Sequence, residues 1–221
     1  MVVDLTKTNP EGWENHNFEN SINSFSDAII WEVHVRDFSN KILDSKYRGK
    51  YLAFTERGLV NEHGEAVGVD YLVNLGITHV HLLPVYDYAT VDEANPDSEF
   101  NWGYDPKNYD TPEGSYSTDP FNGEVRIREY KQMVMGLHNA GIAVVMDMVY
   151  NHTYSKGHGF CLIDFHHLLH FSKGFAVGTV ELKRAVRHPG DAGRIIELPL
   201  VRFQKIAFLR GKDDPGIQCD Q

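Results

Sequence analysis

The stretch GIAVVMDMVYNH, Gly141 to His152, decides the predicted fold of this chain. Its apolar run, Ile142 to Met146, is followed by Asp147 and then by Asn151 and His152. A strand that helices cover on both faces is almost continuously apolar, so polar side chains appear only where the strand ends. The order therefore predicts a buried strand whose carboxyl end opens into a site, although a surface turn containing asparagine would show the same polar residues.

The same pattern repeats along the chain. A glycine separates a predicted helix from an apolar strand at Gly76 and again at Gly141, and a third strand precedes both units. This alternation predicts a parallel sheet with right-handed crossovers, because parallel strands need a long connection. The predicted elements are a strand over Ala28–Phe38, a helix over Val67–Leu75, a strand over Ile77–Val85, a helix over Val125–Ala140 and a strand over Ile142–Met146.

Composition excludes several classes of partner. Among the 221 residues, 42% are hydrophobic and 24% charged, which is typical of a globular protein. The net charge of −10 argues against a nucleic-acid partner. No apolar run approaches the roughly 20 residues that span a bilayer, so no membrane partner is predicted. The N-terminal residues lack the basic and apolar segments of a secretory signal, so a cytoplasmic location is expected.

Charge and aromatic content divide the chain into three predicted parts. Residues 1–27 are polar and without periodicity, which indicates a linker or arm, and residues 28–154 hold the predicted sheet. Residues 1–154 carry a net charge of −13 and all eleven Tyr and three Trp, whereas residues 155–221 carry +3. This break predicts a divergent tail over residues 155–221, either an unrelated extension or, as favoured here, a shifted reading frame.

The tail offers no convincing metal site. Its two cysteines, Cys161 and Cys219, are 58 positions apart, which fits no metal-ligand spacing, so free thiols are predicted. No cysteine or carboxylate lies at metal-ligand spacing from the histidines His166, His167 and His170. We therefore interpret them as side chains that bind no metal.

The longest predicted connection, Tyr86 to Asn122, contains the aromatic segment FNWGYDPKNYDTPEGSYS. Its aromatic residues neither alternate nor recur at helical spacing, which is unlike core packing. Flat rings beside fixed hydrogen-bonding groups suit stacking on sugar faces. The alternative is a loop that its own aromatic side chains fasten to the body of the protein. The aromatic residues are Trp102, Tyr104, Tyr109 and Tyr116.

Four segments together resemble type I pullulanases, debranching members of the alpha-amylase superfamily of glycoside hydrolases. They are WEVHVRDFS from Trp31, HVHLLPV from His79, NWGYDPKNYDTPEGSYSTDP from Asn101 and DMVYNHT from Asp147. The resemblance covers residues 4 to about 154, and NWGYDP is its most specific motif. The arm LTKTNPEGWEN is similar to the linker before the family's catalytic barrel. The resemblance implies an α/β fold, a partial (β/α)₈ TIM barrel of the first three β/α units, followed by the unmatched tail.

The resemblance also implies roles for individual residues toward an α-glucan. Tyr104 matches the tyrosine that stacks on the sugar where cleavage occurs, Asp105 matches a polar contact of that pocket, and Trp102 lies in the same motif. His152 matches a histidine that hydrogen-bonds the 6-hydroxyl region of that sugar. Asp147 matches a buried carboxylate that orients the catalytic machinery. The remaining match is Asn151, a calcium-binding amide in many amylases, but no cofactor is assigned here.

The catalytic carboxylates are the point of departure from the family. Retaining glycosidases use a nucleophile and a proton donor about 5 Å apart. In this superfamily they follow the fourth and fifth barrel strands, and neither motif occurs here. Asp164 lacks the arginine expected two positions before it, and Glu181 and Glu197 stand in no recognisable context.

Three hypotheses remain open. The chain is a pullulanase-like fragment that is inactive alone, an active hydrolase that uses tail carboxylates, or a glucan-binding module without chemistry. An open sheet of three strands would also leave an edge unpaired, which predicts self-association through that edge.

Overall fold

A three-stranded parallel sheet forms the centre of the fold. The computed structural model describes residues 3–19, 22–149, 152 and 154. The sheet order is β1-β2-β5, with Val33 opposite Leu82 and Leu82 opposite Met146 at the carboxyl ends. Its strands are β1 (Ile30–Val33), β2 (His79–Leu82) and β5 (Ala143–Met146). The predicted parallel sheet is confirmed, but its last strand was predicted to be buried, whereas all four residues of β5 are only partly buried. Within the described residues, β5 has a strand partner on one side alone.

Helices connect these strands. After α1 (Val35–Ser39), the helix α2 (Val69–Asn74) lies between β1 and β2, and α3 (Gly123–Asn139) lies between β2 and β5. The side chain of Asn122 caps α3 by accepting from the backbone N–H groups of Glu124 and Val125. Among the described residues, no helix is both long and apolar enough to cross a bilayer.

The core lies where α2, α3 and a short 3-10 helix, Tyr51–Thr55, pack with the sheet. Gly136 is needed at the contact between α3 and the 3-10 helix, because a Cβ there would lie 2.6 Å from the carbonyl oxygen of Phe54. The largest fully buried side chains include Tyr51, Phe54, Leu72, Leu82, Met133 and Leu137.

The predicted strand Ala28–Phe38 was too long. The strand β1 ends at Val33, and Val35–Ser39 forms a helical turn with its own hydrogen bonds. The last ladder bond runs from Leu83 N to Val33 O, and beyond it the carbonyl oxygens of His34 and Arg36 accept from Phe38 N and Asn40 N within the helical turn instead of from β2.

Two structured segments lie between the predicted strands and helices. The first is the 3-10 helix Tyr51–Thr55, and the second is an antiparallel pair, β3 (Tyr86–Tyr88) and β4 (Pro106–Pro112). The pairing of β3 with β4 shifts register twice, so neither strand shows the alternation that would reveal it in the sequence.

The N-terminal residues contact α3. Lys131 Nζ donates to Thr8 Oγ1 at 3.1 Å, and the rings of His16 and His138 stack with their centroids 5.0 Å apart. The interpretation of residues 1–27 as a linker or arm stays a prediction. The predicted tail, residues 155–221, lies outside the described residues, as do both cysteines.

The sheet is open within the described part of the chain. There, β1 and β5 each pair with β2 alone, so each has one edge without a strand partner. Ile29 and Ile30, at the start of β1, are about half exposed. Self-association through such an edge stays a prediction.

Candidate functional site

Three of the predicted site residues meet at the carboxyl end of the sheet. The hydroxyl of Tyr104 donates to Asp147 Oδ2 at 2.6 Å. His152 Nε2 donates to the backbone carbonyl oxygen of Tyr104 at 2.7 Å. Tyr104 is therefore held at both its hydroxyl and its backbone by the segment that follows β5.

The sheet itself positions Asp147. Its N–H donates to Leu82 O at 3.0 Å, so this carboxylate stands directly beyond β5 and beside the end of β2. The chain after it is held by Tyr109, whose hydroxyl lies 2.7 Å from the carbonyl oxygens of both Val149 and His152. The site residues thus lie on loop segments that hydrogen bonds fasten to the ends of the strands.

The aromatic residues of the segment divide into two groups. Tyr116 is buried, with its hydroxyl 3.1 Å from His34 Nε2, and Tyr109 fastens the chain after β5. By contrast, the side chains of Trp102 and Tyr104 are 57% and 41% exposed. Trp102 packs edge-on against Phe100, with ring centroids 5.0 Å apart. Each of the two sequence-based alternatives therefore fits part of the set.

The remaining predicted site residue, Asp105, is engaged within the protein. Its Oδ2 accepts hydrogen bonds from Thr90, and its Oδ1 accepts from the amide of Asn101. Asn101 belongs to the NWGYDP motif, where an asparagine two residues before a glycine indicates a side-chain-bonded turn. Thr90 lies eleven positions upstream, and no sequence pattern points to it.

Burial sets the protonation of two groups here. It raises the pKa of Tyr104, an effect that the neighbouring Asp147 increases, so the hydroxyl stays a donor at neutral pH. Burial also lowers the pKa of His34, which favours its neutral form beneath the aromatic segment.

Comparison with known proteins decides the family. The family model described as "Alpha amylase, catalytic domain" matches residues 55–161. The pullulanase of Bacillus subtilis (strain 168) is 46% identical over 133 residues, which is 59% of this chain and 18% of that protein. A crystal structure of the pullulanase from Paenibacillus barengoltzii in complex with maltohexaose and alpha-cyclodextrin is 49% identical, with a TM-score of 0.67 over 70% of this chain and 24% of that one.

The chain belongs to the alpha-amylase superfamily, in its pullulanase-type branch. The chloroplastic pullulanase 1 of Arabidopsis thaliana is 36% identical over 190 residues, which is 70% of this chain and 19% of that protein. The chain thus spans about a fifth of the length of the curated relatives it matches. Its sheet is part of a TIM barrel, and β1, β2 and β5 are the first three barrel strands.

An acidic cluster is formed by three residues that are not among the predicted site residues. Ligand atoms of Asp87, Glu93 and Glu113 all lie within 4.8 Å of one another. Glu93 forms an ion pair with Arg126, and Glu113 accepts from the N–H groups of Tyr88 and Ser115 at 3.1 and 2.8 Å. Because these carboxylates already have partners inside the protein, we assign no metal to them. Asn151, where the family suggests calcium, lies outside the described residues.

Proposed function

We propose that this chain supplies the sugar-binding part of the active site of a pullulanase-type glycoside hydrolase, which cleaves α-1,6 linkages of α-glucans such as pullulan, starch and glycogen. The observation that carries the proposal is the half-exposed ring of Tyr104, fixed between Asp147 and His152 at the carboxyl ends of parallel strands. Active sites of barrel enzymes lie at this end of the strands.

The chemistry of Tyr104 suits a neutral sugar. Its ring offers an apolar face for the C–H groups of a sugar, while its hydroxyl is already fixed by Asp147. Trp102 presents a second exposed ring in the same motif. The related pullulanases from Paenibacillus barengoltzii and Anoxybacillus sp. LM18-11 have been crystallised with maltohexaose and with maltotriose, respectively, which supports α-glucan as the ligand class.

In this proposal the chain binds sugar but does not cleave it alone. Hydrolysis with retention needs a nucleophile and a proton donor about 5 Å apart. The sequence lacks both family motifs, and Asp147 is committed to the hydroxyl of Tyr104. Asp147 and His152 both position Tyr104, through its hydroxyl and its backbone, and the contact of His152 with the 6-hydroxyl region of the sugar stays a prediction.

Replacing Tyr104 by alanine is expected to weaken binding of alpha-cyclodextrin by about 5- to 150-fold, which corresponds to roughly 1–3 kcal/mol for an aromatic anchor. Isothermal titration calorimetry with the full chain measures this change. Tyr71→Ala is the matched control, because Tyr71 is also half exposed but lies on α2. Equal affinity in wild type and Tyr104→Ala would remove the support for the proposed sugar site.

The purified chain is expected to release no reducing sugar from pullulan, since neither catalytic carboxylate motif is present. A reducing-sugar assay on a monodisperse sample checks this, with His152→Ala as the control for a contaminating hydrolase. Activity in the wild type that disappears in His152→Ala would contradict the expectation and would direct attention to Asp164, Glu181 and Glu197.

A further inference from the structure

Asp105 lies beside Tyr104 in the chain, and its carboxylate is held by three donors. Its Oδ2 accepts from Thr90 N at 2.8 Å and from Thr90 Oγ1 at 2.6 Å. Its Oδ1 accepts from Asn101 Nδ2 at 3.1 Å. We propose that Thr90, Asn101 and Asp105 form a clasp that positions the ring of Tyr104 for the sugar, and that Asp105 acts on the ligand through Tyr104 rather than by touching it. This inference rests on the function proposed above.

The clasp fixes the backbone on both sides of Tyr104. Before it, Gly103 N donates to Asn101 Oδ1 at 2.7 Å. After it, the carbonyl oxygen of Asp105 accepts from Ala89 N at 3.1 Å. Both neighbours of Tyr104 are thereby bonded within one unit, so the direction of its side chain is set before any ligand arrives.

The amide of Asn101 closes the clasp. Its Nδ2 lies 3.1 Å from Thr90 O, 2.8 Å from Thr90 Oγ1 and 3.1 Å from Asp105 Oδ1. The hydroxyl of Thr90 therefore accepts from Asn101 while it donates to Asp105. Each member contacts the other two, so removing one donor weakens the whole unit.

Gly103 brings the clasp against the end of β2. Its φ is +87°, in the left-handed region, and a Cβ there would lie 2.9 Å from Pro84 Cβ and 3.0 Å from Pro84 O. The turn before Tyr104 therefore rests on the segment that directly follows a barrel strand. This contact ties the position of the ring to the sheet.

Two roles for Asp105 make different predictions. A carboxylate that touches the sugar contributes to binding whether or not Tyr104 is present. A carboxylate that only positions Tyr104 contributes nothing once the ring is removed. A double-mutant cycle between the clasp and Tyr104 separates the two roles, because it measures how far one effect depends on the other.

The test measures binding of alpha-cyclodextrin to the full chain by calorimetry, and by NMR titration for the weaker variants. Thr90→Val removes the hydroxyl and keeps the side-chain shape, whereas Thr90→Ser keeps the hydroxyl and serves as the control. We expect Thr90→Val and Asp105→Asn each to weaken binding about 10- to 20-fold, the lower end of the effect of losing a hydrogen bond to a charged group. In the Tyr104→Ala background the same changes should alter affinity less than about twofold.

The exchange of partners gives an independent check. Asp105→Asn places two amide donors opposite each other, and Asn101→Asp places two carboxylates opposite each other. The double variant Asn101→Asp/Asp105→Asn again pairs a donor with an acceptor, and we expect it to regain part of the lost affinity. Circular dichroism confirms that each variant is folded.

The outcomes are distinguishable. Unchanged affinity in Tyr104→Ala overturns the proposed function and this inference with it. A loss in Tyr104→Ala combined with full affinity in Thr90→Val overturns the clasp alone. The clasp is also overturned if Asp105→Asn weakens binding by the same factor with and without Tyr104, because the carboxylate then contacts the sugar directly.

Discussion

Replacing Tyr51 by alanine is expected to lower the free energy of unfolding by about 3–5 kcal/mol, the range for removing a large buried aromatic side chain. Tyr51 is completely buried. Its ring packs edge-on against Tyr116 and Tyr130, with centroids 5.5 and 5.6 Å away. Removing a fully buried ring leaves a cavity that the surrounding side chains fill only in part.

The hydroxyl of Tyr51 adds a polar part to this effect. It donates toward the carbonyl oxygens of Glu113 and Val85, at 3.0 and 3.2 Å. The side chain therefore joins the 3-10 helix to the residue before β3 and to the residue after β4. Tyr51→Phe keeps the ring and removes only these bonds, and we expect it to lose about 1–2 kcal/mol.

Urea unfolding followed by circular dichroism measures both changes. Tyr71→Ala is the control, because Tyr71 is 44% exposed and its loss should change stability by less than about 1 kcal/mol. A loss in Tyr51→Ala no larger than that in Tyr71→Ala would contradict the assignment of Tyr51 to the core.

The stability of the chain is expected to fall as the pH rises from about 5 to 8, because of Glu113. Its side chain is fully buried, and burial raises its pKa from 4.5 to about 7. The hydrogen bonds from Tyr88 N and Ser115 N favour the charged form, but their effect on the pKa is smaller than that of removing the carboxylate from water.

The direction follows from proton binding. Between pH 4.5 and about 7 the folded chain holds a proton on Glu113 that the unfolded chain has released. The contribution is therefore fully present below pH 4.5 and is lost as the pH rises through about 7. Once the pH exceeds the pKa of Glu113 in the folded chain, the free energy of unfolding has fallen by roughly 3 kcal/mol.

Glu113→Gln isolates this group, since glutamine resembles the protonated acid and does not titrate. Urea unfolding of both proteins at pH 5, 6, 7 and 8 gives the difference in free energy at each pH. The wild type should lose stability relative to Glu113→Gln across this range, and histidine effects cancel because both proteins share them. A constant difference would mean that Glu113 keeps an ordinary pKa.

The sequence anticipated the sheet because strands and helices alternate along the chain. Order and direction followed from apolar runs such as Ile142 to Met146 and from the glycines that end the preceding helices. The predicted burial of the last strand was wrong, because all four residues of β5 are only partly buried. The same local pattern failed at Val35–Ser39, which reads as part of a strand. There the backbone bonds to its own next turn rather than to the neighbouring strand, a choice that residue type alone does not decide.

The sequence predicted which residues form the candidate site but not the hydrogen bonds between them. Tyr104, Asp147 and His152 follow from the family motifs, and the structure brings them together. Thr90 could not be found in this way, because its bonds to Asp105 cross a loop of fifteen positions. Asp105 was expected to face the sugar, and its bonds to Thr90 support the different role proposed above.

The sequence by itself determined the parallel sheet, the aromatic segment and the family, since each depends on residue type and spacing along the chain. Only the tertiary structure decided which aromatic rings are buried and which carboxylates already have partners. Tyr116 and Tyr104 stand twelve positions apart in one polar segment, yet one is 2% exposed and the other 41%. The reason is physical: burial and hydrogen bonding are set by whatever strand or helix packs nearby, and that neighbour is fixed by the fold rather than by the adjoining residues.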